Sequence, residues 1–233
     1  ESSSNLDLKD NKEVDVWFNN NKPDTVFLAA AKVGGILANN DYPVDFLEDN
    51  LAIQNSVISA SYKHKVEKFM FLGSSCIYPR GADQPLKESS LLTGALEPTN
   101  EAYAIAKIAG IKLCQAYRKQ YGVDYISVMP TNLYGPGDNF HPQNSHVVAA
   151  LISKFYDAIN QGSDQIVLWG TGSPLREFMH VDDMAEGLIF IMQNYSDVEH
   201  INIGTGKEIS IKDFAELIKD ISGWSGQIDF DSS

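Results

Sequence analysis

Residues 68–76 read KFMFLGSSC. From Phe69 to Leu72 every side chain is apolar, so the run has no polar face, and it is too short for a helix of ordinary length. Such a segment is a strand buried on both sides, the kind found in parallel sheets. Polar chemistry follows it at once in Ser74, Ser75 and Cys76. The same pattern repeats outward. Upstream, Thr25–Ala30 (TVFLAA) follows the turn signal Pro23-Asp24 and is a second buried strand. Between the two lies a helical stretch, Pro43 to Lys63. Downstream, Thr99–Tyr121 carries Ile105, Ile108, Ala109, Leu113, Ala116 and Tyr117 at helical spacing. Tyr125–Pro130 (YISVMP) is a third strand, with Thr131-Asn132 just after it, and a helix follows from about Ser145 to Asn160. Buried strands alternating with helices predict an α/β fold with a doubly wound, parallel, Rossmann-like sheet. In such sheets ligands sit beyond the carboxyl ends of the strands.

After residue 160 the rhythm loosens into short strands at Ile166–Trp169, Arg176–Met179 and His200–Ile203. Asp182–Tyr195 is amphipathic, and Ser210 to Asp213 resembles a capping box opening a helix to about Ile221. We therefore expect a dinucleotide-binding type of domain over residues 1–160. A smaller α/β substrate-binding lobe is expected over 161–233, with segments contributed from 131–160. Composition limits the function. The 31 acidic against 18 basic residues give a net charge of −13. That balance argues against nucleic acid, which needs a basic face, and against docking on an anionic membrane. No apolar run approaches the roughly 20 residues that span a bilayer. There is no secretory-type leader pattern. Only Cys76 and Cys114 occur, too few for a disulfide framework, and a reducing, cytoplasmic compartment is expected.

Tyr103 and Lys107 form a Y-x-x-x-K pair, and residues four apart share one face of a helix. An ammonium beside a phenol favours the phenolate and is expected to lower the pKa of Tyr103 from about 10. Alone the pair is a weak signal, equally a solvated helix face. With Ser74 after one strand and Pro130-Thr131-Asn132 after the next, the order matches the active-site pattern of short-chain dehydrogenases/reductases. Cys76 and Cys114 taken alone read as small buried hydrophobes. His141 and His146 near Asp138 lack a third ligand, so no metal site is expected. Gly170-Thr171-Gly172 and Gly204-Thr205-Gly206 lack the strand–loop–helix context of a phosphate loop and read as turns.

Five segments extend the likeness: AAAKVGGI (29–36), FLGSSCIYP (71–79), EPTNEAYAIAKIAGIKLC (97–114), SVMPTNLYGPGDNFHPQNSHV (127–147) and WGTGSPLREFMHVDD (169–183). Together they resemble the GDP-L-fucose synthase family, extended short-chain reductases. That family epimerises GDP-4-keto-6-deoxy-D-mannose at C3 and C5 and reduces C4 with NADPH. The resemblance implies an oxidoreductase and isomerase with NADP(H) as cofactor, a GDP-sugar as substrate, and a homodimer held by a four-helix bundle. Those helices would be about Pro43–Lys63 and Thr99–Tyr121. It implies roles for single residues. Ser74, Tyr103 and Lys107 would form the reductive triad, and Cys76 with His146 the epimerising pair, as thiolate and imidazolium near neutral pH. Leu72, Gly73, Ser74, Ser75, Lys107, Pro130, Thr131, Asn132, Leu133 and His146 would line the cofactor, with Asp10 near its adenine. Lys154, Trp169 and Arg176 would touch substrate. Taken alone, Trp169 reads as a core residue before a ligand platform, and Lys154 reads equally as a solvated helix lysine.

The family's G-x-x-G-x-x-G loop has no counterpart in this sequence. Aligned on the shared segments, the chain begins near the third strand of such a sheet, so the first β-α-β would be missing and the strand at Thr25–Ala30 would present an open pairing edge. A fragment is therefore expected. Two other readings stay open: another nucleotide-sugar epimerase or dehydratase of the same superfamily, and a non-catalytic nucleotide-sugar-binding or dimerising domain. Plain 4-epimerases have no need of the Cys76/His146 pair.

Overall fold

The computed structural model describes residues 6–141 and 145–232. The serine-rich start and residues 142–144 of the stretch 127–147 lie outside the described residues. In chain order the elements are α1 (Asn11–Asn21), β1 (Thr25–Leu28), α2 (Ile36–Asp41), α3 (Pro43–Lys63), β2 (Lys68–Leu72), α4 (Glu101–Tyr121), β3 (Asp124–Pro130), β4 (Asn132–Tyr134), α5 (Val147–Gln161), β5 (Gln165–Trp169), β6 (Leu175–His180), α6 (Val181–Asn194), β7 (Ile201–Ile203), β8 (Glu208–Ser210), α7 (Ile211–Ser222) and β9 (Gln227–Asp231). They form two compact units, Glu1–Thr131 with Met184–Ile203, and Asn132–Asp183 with Gly204–Ser233.

The first unit is built on a parallel sheet of order β1-β2-β3-β7. Its register sets Lys68 beside Asp124 and Leu72 beside Val128. Alternation along the strands covers both faces. Phe69, Phe71, Tyr125 and Met129 point into a core shared with Val57 and Ile58 of α3 and Ile108 and Ile111 of α4. Met70, Ile126 and Val128 point the other way, against Ile191 and Met192 of α6. This is the doubly wound, Rossmann-like arrangement expected, and it explains why the strands read as unbroken apolar runs. β1 pairs only with β2 among the described residues, and its Phe27 is 43% exposed. Helix α3 has the bounds expected of it, with Pro43 supplying a preset φ at its first position. Helix α4 ends at Gly122, whose φ of 72° suits a left-handed cap.

In the second unit α5 and α7 pack on the parallel pair β5–β9 through Leu151, Phe155, Ile166, Leu168, Ala215 and Trp224. A small sheet of order β4-β6-β8 completes the unit. Residues 132–160 thus group with the second unit, alongside 161–183 and 204–233. The apolar face of α5 belongs with β5 and α7, while most of α6 and all of β7 return to the parallel sheet.

Candidate active site

Four of the expected residues meet at the carboxyl end of β2. The strand leaves the sheet through Gly73, where a Cβ would stand 2.2 Å from the sulfur of Met129. A larger residue here would have to displace the end of the Met129 side chain. Ser74 is extended, with φ −163° and ψ 152°, and opens a 3₁₀ turn over Ser75–Ile77. Its Oγ accepts the Cys76 backbone N–H at 3.5 Å. From α4, Tyr103 and Lys107 arrive one turn apart, as the i, i+4 spacing requires. The Lys107 ammonium is 3% exposed. It donates to the Leu72 carbonyl at 2.8 Å and lies 4.9 Å from the Phe71 ring centre and 5.8 Å from that of Tyr103. The Tyr103 phenol lies near the Ser74 side chain, which opposes the rise in its pKa, and its ring meets Phe46 of α3 edge-on at 6.2 Å.

Burial dominates the electrostatics. It pulls the Lys107 ammonium down to about 8, partly opposed by the nearby Cys76. It pushes the Cys76 thiol up to about 11, against the Ser74 hydrogen bond and the Lys107 charge. It also raises the Tyr103 phenol above its ordinary value, with Cys76 adding to the rise and Ser74 opposing it. Two expectations change here. Desolvation sets the direction at Tyr103, so the phenol holds its proton and can act as a donor. Cys76 is a thiol rather than a thiolate near neutral pH.

The cofactor-lining candidates divide between the units. Leu72, Gly73, Ser74 and Ser75 leave β2, and Pro130 and Thr131 leave β3, all from one edge of the parallel sheet. Thr131 donates its N–H to Ile203 of β7 at 3.1 Å. Asp10 is the N-cap of α1, its Oδ1 accepting from Lys12 N–H and Glu13 N–H. Asn132 and Leu133 stand on β4 in the second unit, where the Asn132 amide donates to the Glu177 carbonyl at 3.0 Å. His146 is exposed at the start of α5.

Lys154, Trp169 and Arg176 also belong to the second unit. Trp169 is 72% exposed, so it is no core residue, and its β5 neighbours Ile166 and Leu168 take the core instead. Lys154 donates to the Val167 carbonyl at 2.9 Å and lies 5.7 Å from the Trp169 ring centre. This sets a cation beside an open aromatic face. Arg176 is exposed and donates to its neighbour's carbonyl at 2.7 Å. Gly204-Thr205-Gly206 is a turn built around Glu177, which accepts from Gly206 N–H at 2.7 Å. Among the described residues no three His, Cys, Asp or Glu gather as a metal site. Sequence reasoning missed a buried polar group of Tyr78, His200 and Asn202, because its members lie more than 120 residues apart.

A strand–serine, helix–tyrosine–lysine constellation on a doubly wound sheet is the arrangement of a short-chain-reductase type of enzyme. Residues 2–204 match the NAD dependent epimerase/dehydratase family, and the chain belongs to it. It is 59% identical over 226 residues to GDP-L-fucose synthase 1 of Arabidopsis thaliana, covering 97% of this chain and 70% of that protein. Against GDP-L-fucose synthase of Escherichia coli (strain K12) the identity is 53% over 237 residues, 98% of this chain and 74% of the relative. The NADP-bound crystal structure of a GDP-L-fucose synthetase from Naegleria fowleri superposes with a TM-score of 0.91 at 33% identity, covering 100% of this chain and 71% of the other.

Proposed function

We propose that this chain carries the catalytic core of a GDP-L-fucose synthase, converting GDP-4-keto-6-deoxy-D-mannose by C3/C5 epimerisation and then NADPH-dependent reduction at C4. The observation that carries the reading is the convergence of Ser74, Cys76, Tyr103 and Lys107 at one strand end, in a chain 53–59% identical to GDP-L-fucose synthases. The first unit is the cofactor domain and the second the substrate domain.

The residues at this edge fit a nicotinamide ribose. Lys107 spends one of its three N–H donors on Leu72 and keeps others for ribose hydroxyls. Leu72–Ser75 and Pro130–Leu133 offer backbone along the cofactor, and Asp10 marks its adenine end. NADPH supplies the hydride for C4. The protein's own part is to hold the C4 oxygen between the Ser74 hydroxyl and the Tyr103 phenol, and to pass the Tyr103 proton to that oxygen as negative charge develops. The same two donors make the C3 and C5 hydrogens acidic, because they stabilise the enolate oxygen formed when either proton leaves. Inverting each centre needs a base on one face and an acid on the other. Cys76 and His146 are the pair that we assign to these roles. Arg176 suits the pyrophosphate, since guanidinium binds phosphate bidentately, while Lys154 and Trp169 offer a cation and a stacking face.

Both cysteines are free, and among the described residues no helix is long and apolar enough to cross a membrane. These observations support a cytoplasmic enzyme. Helices α3 and α4, with Val44, Tyr62, Ile105 and Tyr121 exposed, support a homodimer through a four-helix bundle.

The test is NADPH oxidation with GDP-4-keto-6-deoxy-D-mannose, using the chain extended to its relatives' full length. We expect turnover that Tyr103→Phe lowers by at least a hundredfold, because the proton donor is lost. Absence of NADPH oxidation by the extended, folded enzyme overturns the reading.

A further inference from the structure

Below the reactive turn lies a polar group that the chemistry above does not use. Tyr78 stands two residues after Cys76 and is 5% exposed, and His200, at the entry to β7, is 2% exposed. Asn202, inside β7, connects them to the chain around Cys76. Its side-chain N–H donates to the Leu86 carbonyl at 3.1 Å, and its backbone N–H donates to Glu88 Oε1 at 2.9 Å. With its amide nitrogen so committed, Asn202 Oδ1 is the acceptor, and it takes the Tyr78 hydroxyl proton. A phenol has one proton to give. His200 Nε2, 3.0 Å from the same oxygen, must therefore donate, which fixes the histidine as its neutral Nε2–H tautomer. Nδ1 is left without a hydrogen-bond partner. Burial also holds His200 below its ordinary pKa, in keeping with a ring that stays neutral.

One side chain on β7 thus ties down two points, Tyr78 and Leu86, of the segment that follows β2. The rest of what holds the turn at residues 74–78 is local or non-directional: the Ser74–Cys76 contact at 3.5 Å, long backbone bonds from Ile77 to Ser74 and from Tyr78 to Ser75 at 3.3 and 3.4 Å, and the packing of Ile77 and Tyr78 in the apolar core.

We infer that Asn202, with Tyr78 and His200, forms a positioning clamp that fixes the place of the half-buried Cys76 thiol at the end of β2. None of the three is a catalytic residue; they act through the turn. The functional weight of the clamp rests on the assignment of Cys76 to proton transfer. The thiol itself can be tested without catalysis, so failure of one leaves the other standing.

The test is site-resolved alkylation of the full chain with iodoacetamide at pH 8, read by mass spectrometry at Cys76 and Cys114 separately. Cys114 is 1% exposed in the core and reports general loosening. A clamp that keeps Cys76 half-buried in its turn limits its desolvation-sensitive thiolate. Release toward the ordinary value of 9.0 from about 11 raises the thiolate fraction up to about a hundredfold, and lower nucleophilicity takes back part of the gain. Tyr78→Phe and Asn202→Leu are therefore expected to speed Cys76 at least tenfold while Cys114 keeps its rate. His200→Gln, whose amide N–H replaces Nε2–H, should retain the parent rate where His200→Leu does not. A Cys76 rate within twofold of the parent in the folded variants overturns the clamp. So does a parallel rise at both cysteines, which marks plain destabilisation. If Asn202→Leu fails to fold, Tyr78→Phe, which removes one oxygen, and the two His200 variants decide.

Discussion

At the residue scale, Cys76 is where sequence and structure differ most usefully. A cysteine in a site that exchanges protons suggests a thiolate, yet burial pushes this thiol up to about 11. At pH 7 the thiolate is then only about one part in ten thousand, and its share grows about tenfold for each pH unit below the pKa. If Cys76 is the base in epimerisation, exchange of the substrate's C3 and C5 hydrogens with D₂O should rise steeply from pH 7 to 9.5. Cys76→Ser should remove that slope and slow exchange far more than it slows hydride transfer. The measurement is deuterium uptake by mass spectrometry in the chain extended to its relatives' length. A flat profile in the parent would give the basic role to another group. Lys107 moves in the opposite sense: burial lowers it to about 8, so its charge fades as pH rises through that value. Reduction should therefore decline on the alkaline side while exchange still climbs.

At the scale of elements, the seating of α4 on β2 sets the site's geometry, and Gly110 tests it. A Cβ there would stand 2.4 Å from Phe71 Cζ and 2.9 Å from Gln54 Oε1. Gln54, buried on α3, donates to the Ala106 carbonyl at 2.9 Å, one residue before Lys107. In an exposed helix, alanine for glycine gains about 1 kcal/mol. Here overpacking costs about 1–3 kcal/mol, and the Gln54 bond is disturbed as well. Gly110→Ala should lower Tm by several degrees in a thermal melt; a higher Tm would mean that Phe71 and Gln54 can step aside freely. These long elements were legible from sequence because their patterns are local. The bounds of α3 follow from Pro43 and an apolar stripe, and β2 and β3 from continuous apolar runs. Helix α1 was not legible, since NKEVDVWFNNN is poor in strong helix formers and buries only Val14 and Phe18. Its start depends on the Asp10 cap. Strands β4 and β8 have three residues each, too few for a period to register. The triad and Cys76 were legible as motifs, whereas the clamp from Asn202 depends on a bond between residues 124 apart in sequence.

At the scale of the whole molecule, the charge of −13 and the apolar faces of α3 and α4 act in opposite directions. Tyr62 and Tyr121 stack at 4.4 Å and Tyr117 lies 5.2 Å from Tyr62, tying the two helices together. Tyr62 and Tyr121 remain 38% and 47% exposed. Covering such a stripe with its copy gains about 25 cal/mol per Å² of apolar surface removed from water. Two chains of −13 repel each other, but salt screens that repulsion over about 10 Å at 0.1 M. Hydrophobic association therefore predicts a dimer of twice 25.7 kDa that tightens as salt rises, the reverse of an interface held by ion pairs. Light scattering after size exclusion at 0.05 M and 0.5 M salt reads both mass and trend. Tyr62→Glu with Tyr121→Glu should give a monomer of unchanged helical circular dichroism, because each ring is partly exposed and the underlying core does not depend on it. A monomeric parent at both salt concentrations, or a dimer that survives the two glutamates, would place any assembly on another surface.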